Sequence, residues 1–126
     1  MAYRPYATVE TYEELLPDAE PVTEADLRQA SRHIDSLTFN RIIEPGFDSL
    51  TEFQQGIIEE VCCLQAQFET ENADTIGSVL SSYSINGVSM QFGESWNVFT
   101  EQGIAMKRDV YALLEQTGLC TRLLGR

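Results

Sequence analysis

The chain contains no run of about 18 apolar residues, so nothing in it is long enough to cross a bilayer as a helix. Its opening residues, MAYRPYATVE, hold no continuous apolar stretch, and a secretory signal is not expected there. Positive charge is scarce where it would matter for DNA: no lysine or arginine lies between Ile42 and Met106. Sequence-specific DNA binding needs clustered basic side chains on phosphates, so it is not expected either. Only three cysteines occur, two of them adjacent, which excludes a disulfide framework. On a helix, Cys62 and Cys63 point about 100° apart, a geometry that suits neither a mutual bridge nor a zinc pair. A reducing compartment such as a cytoplasm fits best.

Catalytic signatures are equally thin. His33 is the single histidine, and its place on a helix favours a surface or interface role over that of a general base. There is no G-x-S-x-G, no P-loop and no H-E-x-x-H. The adjacent pairs Glu13–Glu14 and Glu59–Glu60 diverge on a helix instead of converging on one ligand. Cys62 is expected in the core and Cys63 as a surface thiol, with no base fixed nearby to activate either. No catalytic, cofactor-binding or metal-ligating residue is assigned, and an enzyme is not expected.

What is present is one domain, 1–126, with 43% hydrophobic residues and a net charge of −12. An acidic surface keeps a monomer soluble; it also suits a body that avoids gripping nucleic acid while offering basic ends to an acidic partner. The segment 1–22 reads as a short helical turn capped by Thr8 or Thr11 and running to Leu16, with Tyr12, Leu15 and Leu16 as apolar contacts, then a connector from Pro17 to Pro21. Thr23 and Asp26 make a variant capping box for the first long helix. There Leu27, Ala30, Ile34 and Leu37 recur at helical spacing, Ser31 and Thr38 flank them, and Arg28, Arg32 and Asp35 lie off the stripe. Pro45-Gly46 is expected to stop it.

A second helix follows, for which Ser49-x-x-Glu52 and Thr51-x-x-Gln54 are both plausible boxes. Phe53, Ile57, Val61, Leu64 and Phe68 form its stripe, widened by Ile58, Cys62 and Ala66, so this helix is expected to be central. Glu52, Gln55, Glu59, Cys63 and Gln67 take its opposite face. Residues 93–103 show no clear period. A last helix spans about Lys107 to Thr117, with Val110, Leu113 and Leu114 inward and Gly118 ending it in the left-handed region.

Two stretches ask for partners. Around Asn86-Gly87 the alternation of LSSYSINGVSMQFG predicts a β-hairpin over 80–93 with a type I′ turn. Tyr83, Ile85, Val88, Met90 and Phe92 share one side of it. A lone hairpin is marginal in water, so this one lies on its own helices, on a neighbouring chain, or on both. After Gly118 the segment 119–126 (Leu119, Cys120, Thr121, Arg122, Leu123, Leu124, Gly125, Arg126) is apolar and basic in an otherwise acidic protein. It reads as a docking peptide more readily than as a frayed end. The expected fold is therefore mainly α: a small bundle of three main helices plus a short N-terminal one, with a β-hairpin inserted between the second and last helices.

Several motifs in this order resemble the head–tail connector (adaptor, or head-completion) proteins of long-tailed bacteriophages. They are Tyr6-Ala-Thr-Val-Glu-Thr-Tyr12, the run from Ala30 to Arg41 with its Ala-Ser-x-x-Ile-Asp-x-Leu-Thr pattern, Gln54 with Cys62-Cys63, the central run from Ser82 to Ser89, and Leu113 to Leu119. The resemblance covers about Tyr6 to Arg122. It implies a non-enzymatic adaptor without cofactor, assembling in the host cytoplasm and sitting in the virion neck as a dodecameric ring. Such a ring lies beneath the portal, meets a tail-side completion or stopper protein, and leaves its channel open to DNA without specific binding or membrane contact. It further implies that Leu119 through Arg126 reach the portal. Arg122 stands where family members carry an arginine, but the aromatic usually preceding it is Thr121 here. In such a ring the hairpin, with Asn86 and Gly87 at its turn, would lie in the subunit contact. The other function consistent with the charge is an acidic DNA mimic or regulatory protein that occupies a nucleic-acid-binding partner.

Overall fold

The computed structural model describes residues 5–43, 45–73, 98–101 and 104–120, with the backbone alone for 98–101. Among these residues are four α-helices: α1 (Val9–Leu15), α2 (Glu24–Leu37), α3 (Glu52–Glu71) and α4 (Arg108–Glu115). A 3-10 turn, Phe47–Ser49, precedes α3, and strands β1 (Val98–Glu101) and β2 (Ile104–Lys107) lie between α3 and α4. The protein is thus a small, mainly helical bundle, as its periodicity predicts.

The helix starts follow local chemistry. Thr8 caps α1, its hydroxyl accepting from the Thr11 amide. Thr23 and Asp26 complete their capping box at α2, and of the two candidates at α3 it is Thr51 and Gln54 that form one. Leu27, Ala30, Ile34 and Leu37 are all buried, as are Ser31 and Thr38. Asp35 is buried as well, because the stretch around Tyr6 covers it and the Tyr6 hydroxyl donates to its carboxylate.

α2 ends earlier than Pro45-Gly46. Leu37 is its last residue, and Phe39 and Asn40 follow at φ of 56° and 60°. The Asn40 amide reaches back to the Asp35 carbonyl at 2.8 Å, closing the six-residue loop of a Schellman-type end. Asparagine tolerates this conformation, whereas Phe39 beside it sits where few aromatics do.

α3 is the central element: α1, α2, α4 and β2 all pack on it. Ile57, Ile58, Val61, Cys62, Ala66 and Phe68 are buried along it. Each large apolar side chain buried this way contributes about 1.5–3 kcal/mol. Two expectations for this helix are corrected. Phe53 is 61% exposed, since in the first turn of α3 it is Gln54 and Gln55 that meet the neighbouring backbone, and the buried stripe begins at Ile57. Cys63 is fully buried instead of being a surface thiol, because α1 lies on the face assigned to solvent and brings Tyr12 close to it.

The stretch without a clear period contains a strand. β1 and β2 pair antiparallel, Val98 opposite Lys107 and Glu101 opposite Ile104. The hairpin expected at 80–93 lies outside the described residues. α4 carries Val110 and Leu114 inward with Leu113 half-buried, and Gly118 has φ of 78°.

Candidate functional site

Two glutamines tie the segments on either side of α4 to α3. Gln54 Nε2 donates to the Thr117 carbonyl at 2.9 Å, and Gln65 Nε2 donates to the Ala105 carbonyl at 2.8 Å. They are eleven residues apart in α3, about three turns, so they stand on one face roughly 16 Å apart. Thr117 follows α4 and Ala105 precedes it, so the two bonds hold α4 antiparallel to α3 at both ends.

At the Gln54 end the Thr117 hydroxyl accepts from the Leu119 amide at 3.2 Å, and Arg41 Nη1 donates to the Leu119 carbonyl at 3.4 Å. Leu119 and Cys120 pack against the core, half-buried. The segment expected to dock thus starts from an anchored base, and its remaining residues, Thr121, Arg122, Leu123, Leu124 and Arg126, lie outside the described residues. The Arg41 guanidinium is 5.3 Å from the centre of the Phe39 ring. Ile43, 48% exposed, lies on the turn between Arg41 and Pro45.

At the Gln65 end the chain beyond α3 is described to Ala73 and resumes at β1. Gln65 is buried, and its amide nitrogen also donates to Glu69 at 2.6 Å. Its Oε1 is buried with no hydrogen-bond partner among the described residues. His33 Nδ1 meets the Glu69 carboxylate across the α2–α3 seam. His33, Glu69, Gln65 and the Ala105 carbonyl therefore form one polar line from α2 through α3 to β2. The subunit-contact residues expected in this part of the chain (Tyr83, Ile85, Asn86, Gly87, Val88, Met90 and Phe92) lie outside the described residues.

Between residues 5–10 and 45–49 runs an open cleft of about 1070 Å³. The Tyr6 ring stacks on Phe47 at 5.3 Å with 24° between planes. Glu10, Glu24 and Asp48 help line it, and no lysine or arginine is among its described lining residues.

The two adjacent thiols are not primed as nucleophiles. Burial pushes Cys62 up to about 11, only partly offset by its contact with Ser31 Oγ at 3.3 Å. Burial, then the neighbouring Cys62, Glu59 and Glu60, pushes Cys63 up to about 12. Both are neutral packing groups near pH 7. Among the described residues no three of His, Cys, Asp and Glu converge as metal ligands, and no helix is long and apolar enough to cross a membrane. Compared with family models, with curated proteins and with solved structures, the chain matches none of them.

Sequence periodicity does not mark Gln54, Gln65, Arg41 and Thr117 as the residues that make these contacts. The one available signal is the spacing of the two glutamines, which puts two amides on the same face of α3 as Ile58 and Val61.

Proposed function

We propose that the protein is a structural adaptor of a tailed phage: a ring beneath the portal that joins the DNA-filled head to the tail and keeps a channel open to DNA. One observation carries this reading beyond the motif resemblance. The described residues that border the two partner-seeking segments, Cys120 beside Gln54 and Ala73 and Val98 toward the Gln65 end, stand at opposite ends of α3. A subunit that joins one ring to another and closes laterally needs separate attachment points of this kind.

The segment 119–126 is the portal-docking element in this reading, and the hairpin at 80–93 is the subunit contact. The net charge of −12 supports the channel role, because a wall of like charge repels the phosphate backbone and lets DNA slide. No reaction, cofactor or membrane partner belongs to it. Partners are further copies of the chain, the portal and a tail-side completion protein, and the place is the virion neck.

Electron microscopy and mass measurement on the chain, alone and with its cognate portal, test the reading. Closed rings with an open lumen, in fixed ratio to portal, are expected. A monomer at every concentration that ignores portal overturns it, and one that instead titrates a nucleic-acid-binding protein replaces it with the mimic.

A further inference from the structure

The cleft between residues 5–10 and 45–49 is open to solvent, and its lining limits what can fill it. Its lining includes Tyr6 stacked on Phe47, together with Glu10, Glu24 and Asp48. Glu24 is shared with Arg28 at 3.5 Å, which leaves Glu10 and Asp48 as its uncompensated charge among the described contacts. An extended peptide with apolar side chains and positive charge complements that surface.

The chain contains one such segment close by. Residues 121–126 read Thr-Arg-Leu-Leu-Gly-Arg, two arginines and two leucines without an acid. They start where Arg41 holds the Leu119 carbonyl. Six residues reach at most about 20 Å when extended. The route is short: from Arg41 the turn passes the exposed Ile43 to Pro45, and the cleft wall begins there. Gln55 Nε2 holds the Phe47 carbonyl at 3.1 Å, while the adjacent Gln54 holds Thr117. Neighbouring residues of one helical turn thus secure the cleft wall and the base of the segment. Attachment in the same chain also raises the local concentration of the peptide to the millimolar range, so a weak site suffices.

From this we infer that in the unassembled protein the chain's own residues 121–126 lie in the cleft, with Leu123 or Leu124 over Ile43 and the stacked Tyr6 and Phe47 rings, and Arg122 and Arg126 towards Asp48 and Glu10. The inference does not depend on the adaptor reading. Combined with it, the cleft would hold the docking segment until a partner takes it.

The test compares amide resonances of the full chain with those of a chain ending at Cys120, at low ionic strength. Truncation is expected to move the peaks of residues 6–10 and 46–49 as well as those near 120. The double variant Arg122→Glu, Arg126→Glu in the full chain should move the same cleft peaks, and so should raising the salt, which screens the pairs. Changes confined to residues 116–120 overturn the inference. Cleft shifts that vary with protein concentration also overturn it, because the occupant is then a second copy's segment. If removal of residues 1–4 moves the cleft peaks and removal of 121–126 does not, the cleft belongs to the other end of the chain and the inference fails.

Discussion

Along α3 two seams can be compared. The seam with α2 is lined by Leu27, Ala30 and Ile34 and by Ile58, Val61 and Cys62, all buried; its described polar contacts are those of Ser31 and Cys62 with each other and with the Leu27 carbonyl, and His33 with Glu69 further along. The seam with α4 and β2 buries Met106, Val110 and Leu114 but is set at its two ends by glutamine amides on backbone carbonyls. Apolar contact is non-directional and supplies most of the stability, whereas a hydrogen bond to one chosen carbonyl fixes register for about 0.5–1.5 kcal/mol. The α2 seam therefore holds the body together. The α4 seam sets where β2 and the residues after α4 are held against α3.

The largest effect that would sharpen this contrast is in the first seam. Ile58→Ala should cost about 2–5 kcal/mol in chemical denaturation, since it empties a fully buried site. Gln65→Leu should cost less, about 1–3 kcal/mol, because it leaves the Ala105 carbonyl unpaired while also removing the orphaned Oε1. Its diagnostic is local: amide exchange should speed up in β2 and α4 and stay slow in α2. Equal loss of protection in α2 and α4 would erase the distinction between the seams.

Alkaline pH probes the α2 side and the adjoining α1 contact. Both buried thiols have folded values above the ordinary 9.0, and burial followed by repulsion from Glu71 raises the Tyr12 phenol as well. For groups raised in this way the folded state is favoured fully below the unfolded value and loses that contribution as pH rises through the folded one. Stability in chemical denaturation should hold steady from neutral pH to about 9 and then fall through about 11 to 12. Cys63→Ala should flatten that fall. Phe53→Ser is expected to change stability least, within about 0.5 kcal/mol, because the ring stands outside both seams.

Much of the α2 seam is legible in the sequence because it obeys a single period, and so are the caps at Thr8, Thr23 and Thr51. Cys63 escapes that reading because periodicity ranks one face against its opposite, and α3 is covered on both once α1 folds back over Tyr12. Phe53 escapes it for the converse reason: it has the right spacing, but in its turn Gln54 and Gln55 make the contacts and the ring stays exposed. The end of α2 rests on Asn40 accepting a left-handed conformation five residues before the more conspicuous Pro45. The α4 seam is less legible, since a glutamine carries no mark in sequence that says which distant carbonyl it will hold.

Cross-linking goes to the heart of the adaptor proposal, that residues 80–93 meet a neighbouring copy while the helical body stays intact. With Cys120→Ser to silence the half-buried native thiol, Ser84→Cys can be paired with Glu60→Cys on the exposed face of α3 and oxidised under assembling conditions. An interchain ladder ending at a closed ring is expected. Products that are exclusively intrachain would contradict it.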